Sequence, residues 1–224
     1  MKHFIMAALL LGVVLLAACN LTGGAVNDND TCYDLEEGLA RDNCFAEKLR
    51  CSKVASEVIR DSCVVELAKK KIDLEVCGLI ISEKTKGYCQ EQLALITNNQ
   101  EICKDISDQY WKDNCNAQLA MKSNQDVFCS LVSDNPQRED CYQTIAFATN
   151  NHLLCEFLTE KDSCLFQIAG KIADVQICDQ ITVPLNKDAC RLKVAKVSND
   201  EEKCKLIKIS AVRETCEEYF SENK

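Results

Sequence analysis

The chain of 224 residues carries 17 cysteines, and their spacing limits the chemistry open to them. Thiolates that hold a soft ion such as Cu(I), or that exchange disulfides, lie about one helical turn apart, as in C-x-x-C or i, i+4 pairs. Here the closest two, Cys44 and Cys51, are seven residues apart. Imidazole-rich zinc sites are excluded as well, because His152 is the only histidine beyond the first few residues. The chemistry left to most of these cysteines is disulfide formation, which needs an oxidising compartment.

The elements that must position them follow from the same spacing. From Cys51 onward the gaps alternate 12 and 14, with one gap of 9 between Cys155 and Cys164. A 26-residue period belongs to a stacked repeat, and eight units result, each with two cysteines. The residue three before the second cysteine is basic in all eight: Arg41, Arg60, Lys86, Lys112, Arg138, Lys161, Lys187 and Arg213. The next residue is acidic in every unit except the third, which has Gly87. An apolar residue recurs four positions after the second cysteine, and alanine commonly follows it. Three positions after the first cysteine stands an aliphatic residue in all eight units. Spacings of three and four place side chains on one helical face, whereas a strand needs alternation.

Only 7 glycines and 2 prolines punctuate the chain, too few for a strand-rich domain. Asn98-Asn99, Ser123-Asn124, Asn150-Asn151 and Ser198-Asn199-Asp200 lie where helix-capping side chains belong, just ahead of the first helix of a unit. Pro136 and Pro184 suit the first turn of the second helix. The expected fold is therefore all-α: an α-solenoid of about eight helical hairpins. Helices of about ten residues are marginal alone, and stacking supplies the continuous core they lack. At about 9 Å per unit the stack spans roughly 70 Å. The short gap from Cys44 to Cys51 suggests that the second helix of unit 1 runs on into the first helix of unit 2.

Pairing follows by elimination. Bonds between units strand Cys32 and Cys216 and force Cys44 onto Cys51. Seven residues of helix span about 10.5 Å, beyond the reach of a disulfide. Pairing within units leaves no orphan, which predicts Cys32–Cys44, Cys51–Cys63, Cys77–Cys89, Cys103–Cys115, Cys129–Cys141, Cys155–Cys164, Cys178–Cys190 and Cys204–Cys216. Each closes a loop that stabilises by roughly 3 kcal/mol in the chain-entropy account.

Cys19 has no partner in this scheme, and its setting differs. Residues 1–18 begin with Lys2 and continue as an apolar run from Phe4 to Ala18, the anatomy of a secretory signal that is too short to span a bilayer. Leu16-Ala17-Ala18-Cys19 is similar to the lipobox of prokaryotic lipoproteins. That resemblance implies diacylglycerol transfer to Cys19, cleavage before it and attachment to a membrane. Residues 19–31, rich in Asn, Gly and Asp, read as a flexible linker, and residues 32–224 as the repeat domain. Asn20 and Asn29 begin short glycosylation-acceptor patterns in that linker. The body resembles the cysteine-rich Sel1-like helical-repeat proteins in architecture, as disulfide-stapled hairpins, though not in period or residue pattern. The resemblance transfers no site.

The net charge of −9 argues against nucleic acid as a partner, since that binding rests on clustered Lys and Arg. No phosphate-loop, dinucleotide, nucleophile-elbow or metalloprotease motif is present, and no catalytic, cofactor-binding or metal residue is assigned. His152 stands at a repeat position that accepts any residue type. The basic–acidic dipeptide reads as a structural ladder, in which stacking brings the basic group of one unit near acids of the next. The expectation for function is a non-enzymatic scaffold, held outside the cytoplasm at a membrane by a lipid on Cys19 and binding a protein or envelope component. The alternatives are a self-assembling structural component of the envelope, an enzyme, or a Cu(I) store. Tyr110 and Trp111, just before the second cysteine of unit 4, are the candidate partner contact. The competing reading of Trp111 is a residue that fills a gap between units.

Overall fold

A computed structural model describes residues 31–222. The signal segment, Cys19 and the sequon asparagines Asn20 and Asn29 lie outside the described residues. Within them the chain is all helix and turn, ordered as eight hairpins. The first helix of each unit is short: Thr31–Asp34, Cys51–Lys53, Leu74–Cys77, Gln100–Lys104, Asp126–Leu131, His152–Phe157, Val175–Cys178 and Glu201–Leu206. Five of these eight are 3₁₀ rather than α, which suits pieces of so few residues. The second helices are Leu39–Glu47, Glu57–Lys71, Glu83–Thr97, Gln109–Ser123, Asn135–Thr149, Lys161–Ile172, Pro184–Ser198 and Ser210–Glu222.

A disulfide joins the two helices of every unit, with Cα–Cα distances from 5.5 Å (Cys32–Cys44) to 5.8 Å (Cys77–Cys89). The remaining bonds are Cys51–Cys63, Cys103–Cys115, Cys129–Cys141, Cys155–Cys164, Cys178–Cys190 and Cys204–Cys216. No thiolate among them is left to hold a soft ion. The bond in unit 6 closes over 9 residues because its second helix lacks the first turn. It begins three residues before Cys164, where unit 7 begins six before Cys190.

The recurring apolar positions form the core. Val54, Ile80, Ile106, Val132, Ile181 and Ile207, each three after a first cysteine, are buried; Leu35 in the terminal unit is exposed. Ala68, Ala94, Ala120, Ala146, Ala169 and Ala195 on the second helices are all 0% exposed, so only a methyl group separates these helices from their neighbours. One large cluster runs through units 4–7 and a second through units 2–4, sharing the unit 4 layer.

Helix ends explain the paired Asn, Ser and Asp residues better than the sequence did. Asn98, Asn124, Asn150 and Asn199 close the preceding second helix in the left-handed conformation, with φ of 49° to 56°. Only the following residue caps the next helix: the side chains of Asn99, Asn151 and Asp200 accept backbone N–H groups at its start. Pro136 and Pro184 do stand in the first turns of their helices. One expectation fails. The second helix of unit 1 does not run on into unit 2 but stops at Glu47, nine residues long, and turns at Leu49 with φ 55°. The Arg50 N–H closes that turn on the Phe45 carbonyl.

Candidate functional site

The basic–acidic dipeptide works in both directions along the stack. Its acidic member reaches forward. Both carboxylate oxygens of Asp113 accept N–H bonds from the loop that opens the second helix of unit 5, Ser133 at 2.9 Å and Asp134 at 3.0 Å. Asp42 does the same for Ala55 and Ser56 and Asp61 for Ile81 and Ser82, while in Asp188 one oxygen accepts from both Lys208 and Ile209 and the other from Arg191. Asp162 holds Thr182 and Val183, and Glu139 accepts from the backbone and hydroxyl of Thr159. The basic member reaches back within its own unit: Arg41 to the Leu35 carbonyl, Arg138 to Val132 and Lys187 to Asp179. The expected ladder of basic groups against acids of the next unit is thus corrected. The junction bond runs from carboxylate to backbone, because the loop's unpaired N–H groups are the nearer donors.

At four of these junctions the bonds also hold the carboxylate in its charged form. The N–H groups of Ala55 and Ser56 hold the Asp42 carboxyl below its usual range. The Thr159 hydroxyl and N–H do so for Glu139. Burial alone would raise Asp162 and Asp188, but donors from the next unit outweigh it and both end below that range.

Junction 3–4 is built differently, and it contains the candidate contact residues. Gly87 stands where the other units carry the carboxylate, and Trp111 of unit 4 fills the space: a Cβ on Gly87 would lie 3.0 Å from Trp111 Cβ and Cδ1. The indole packs against Tyr88 at 5.1 Å between ring centroids, and its buried Nε1–H meets no acceptor among the described residues. One turn on, Glu91 is only 2% exposed. The Asn114 amide donates to it, and the Asn114 oxygen accepts from Gln137 at 3.3 Å, so a polar row crosses units 3, 4 and 5. Burial pushes the Glu91 carboxyl above its usual range. Tyr110, 63% exposed, lies edge-on to the indole at 5.0 Å. The geometry therefore divides the pair: Trp111 belongs to the packing between units, and Tyr110 presents its ring to solvent.

Tyr110 is not isolated in kind. It stands five residues before a second cysteine, and at that position Leu39, Val58 and Leu185 are exposed too. Two residues after a first cysteine, Leu79, Leu131, Phe157 and Leu206 are exposed. Both positions flank the hairpin tip, so one edge of the stack carries apolar side chains in most units. His152 begins the 3₁₀ helix of unit 6, and no cluster of His, Cys, Asp and Glu that could hold a metal occurs among the described residues.

A search of protein-family models, of curated proteins and of solved structures finds no match to this chain. What the chain does is therefore argued from its own surface. The tip positions were visible in the sequence only as variable residues. Their exposure comes from the hairpin turn, which lifts them off the helix–helix contact. Glu91 gave no signal at all, since its repeat position holds residues as unlike as Ala46, Val65, Gln143, Leu192 and Glu218 elsewhere.

Proposed function

We propose that this protein is an extracytoplasmic scaffold, tethered to a membrane by a lipid on Cys19, that binds a protein or envelope component along its hairpin-tip edge. The observation that carries the reading is the recurrence of exposed apolar residues at two repeat positions flanking the tips. Exposed apolar residues scattered singly need no explanation, but one such residue at one or other of the two tip positions in every unit makes an extended surface of the kind repeat proteins use. Eight disulfides place the body in an oxidising, extracytoplasmic compartment. No helix among the described residues is long and apolar enough to cross a membrane. The lipobox-like Leu16-Ala17-Ala18-Cys19 is the motif that supports the tether.

The outer face of unit 8 favours a discrete scaffold over an end-to-end polymer. On inner units, the positions −2, +1, +2, +5 and +6 from the second cysteine face the next unit. On unit 8 they hold Glu214, Glu217, Glu218, Ser221 and Glu222, all exposed. A polar outer face is what terminal repeats need to stay unstacked. In sedimentation the delipidated chain is expected to run as a small, defined species. Cross-linking on intact cells, comparing the wild type with Tyr110→Ala/Leu185→Ala, tests the edge: the reading requires co-purifying material that the double variant loses while its helicity is kept. The tether is tested separately. Cys19→Ser in a lipoprotein-processing host is expected to leave the membrane fraction or to accumulate as precursor, and unchanged processing and membrane association refute lipid attachment.

A further inference from the structure

Two glycines interrupt the second helices, and each is covered by a large residue of the next unit. Gly87 lies under Trp111 and Gly170 lies under Lys193. Glycine inside a helix costs about 1 kcal/mol relative to alanine, so the second instance needs a reason as the first did. At the position of Gly170, six residues after the second cysteine, units 2–5 carry Lys69, Leu95, Met121 and Phe147. Without such a side chain, unit 6 leaves a cavity of ≈ 370 Å³ lined by Phe147, Gln167, Gly170, Lys171 and Lys193.

Its polar lining is two ammonium groups and one amide, with no carboxylate, in a protein whose net charge is −9. Neither lysine has an ion pair among the described residues. The Lys193 stem lies flat on Gly170, where an added Cβ would come within 2.7 Å of its Cδ, and its Nζ sits 4.7 Å above the centroid of the Phe166 ring. Lys171 Nζ donates to the Phe147 carbonyl at 2.6 Å. An ammonium has three N–H donors, so that bond leaves two on Lys171, and the ring contact uses none on Lys193. Most other lysines with visible partners here sit on carboxylates, for example Lys104 on Glu101 and Lys203 on Asp200. Two unneutralised cations beside an amide, positioned by a carbonyl and a ring, form a site for a compact oxyanion.

We propose that this cavity between the second helices of units 5, 6 and 7 binds a phosphate group, with Lys171 and Lys193 supplying the charge and Gln167 a further donor. A phosphate monoester carries about −1.5 to −2 charges near neutral pH, which the two ammoniums balance, while a carboxylate with a single charge leaves one cation uncompensated. The proposal does not depend on the tip edge or on the lipid.

Melting of the full chain is followed against inorganic phosphate and glycerol 3-phosphate, with chloride and acetate at matched ionic strength as controls. Saturable stabilisation by the two phosphates and none by the controls is expected. Lys171→Met, a change at an exposed side chain that leaves the fold intact, is expected to weaken the apparent affinity about tenfold. Gly170→Ala, which displaces the Lys193 stem, is expected to weaken it as well. Saturation by inorganic phosphate but not by the ester keeps the oxyanion site and narrows its ligand to the free ion. Unchanged phosphate response in the Lys171→Met/Lys193→Met double variant, or equal response to chloride or acetate, overturns the proposal.

Discussion

Junctions 3–4 and 4–5 join the same pair of elements by different physics. At 4–5 the carboxylate of Asp113 holds two backbone N–H groups of the next unit, so the join is polar, directional and sited at the end of a helix. At 3–4 the carboxylate is missing, and an indole lies on Gly87 in its place. The Ser107 hydroxyl there binds Glu83 instead, at 3.0 Å. The polar join serves five junctions with Asp and one with Glu, because it asks only for a carboxylate and two hydrogen-bond donors, N–H or O–H. The aromatic join needs two matched changes in adjacent units, glycine on one side and tryptophan on the other. A repeat position is thus not a fixed role; it is a space that either solution can occupy.

The largest effect is expected at the aromatic join. Trp111→Ala should destabilise by about 3 kcal/mol, the lower end for large aromatic truncations because the ring is partly exposed, lowering the melting temperature by roughly 6–12 °C. Gly87→Asp alone should also destabilise, by about 1–3 kcal/mol, through overpacking against the indole. In the Trp111→Ala background the same change should become stabilising, because the new carboxylate can reach the Ser107 and Asp108 N–H groups. Additive effects in that cycle would break the comparison.

Next comes the polar join. Asp113→Ala leaves two loop N–H groups without their acceptor and should cost about 2 kcal/mol. Asp113→Asn, which keeps one acceptor oxygen, should cost less, as chemical denaturation of both variants would read. Smaller still is a gain. Ile72 closes the second helix of unit 2 at φ 53°, where four other units use asparagine. A β-branched residue is strained in that conformation, so Ile72→Asn should stabilise by about 1 kcal/mol.

The pH response separates the two kinds of junction with the gentlest effect. Asp42, Glu139, Asp162 and Asp188 have carboxyls held below their usual range. Their contribution is present above about pH 4, where the unfolded carboxyls ionise, and is lost as pH falls through their lower folded values. Glu91 has the opposite sign. Its carboxyl is raised by burial, so it favours the folded state at low pH, and that help is lost as pH rises through its folded value. Glu91→Gln should therefore gain stability relative to the wild type from acid to neutral pH. Melting curves of the pair across that range check the crossing slopes.

The architecture was legible because its cause is periodic. Cysteines every 12 and 14 residues, an aliphatic three after the first and an apolar residue four after the second specify hairpins, their stapling and their stacking. The Tyr110-Trp111 pair was legible as unusual but not as divided, since adjacent residues on a helix point about 100° apart and only the neighbour decides which one is covered. Gly87 appeared merely as an exception to the acidic position, and its match to Trp111, 24 residues later, is a contact across units. Leu49 shows the other limit. The short spacing from Cys44 to Cys51 fits either a fused helix or an early stop, and the choice fell to a single left-handed residue with no glycine or asparagine to announce it.

The placement of every disulfide inside a unit, and none between units, has a mechanical consequence. Pulled from its two ends, such a stack is a spring under load. When force peels a unit from the stack, the bond between Cys103 and Cys115, 12 positions apart, bypasses the chain between them, and only the stretch to the next first cysteine can extend. At about 3.5 Å per extended residue, a 26-residue unit yields roughly 55 Å rather than about 90 Å of contour. Load is therefore carried across the carboxylate and aromatic joins, while each staple keeps the first helix and the start of the second together for restacking when the force is released.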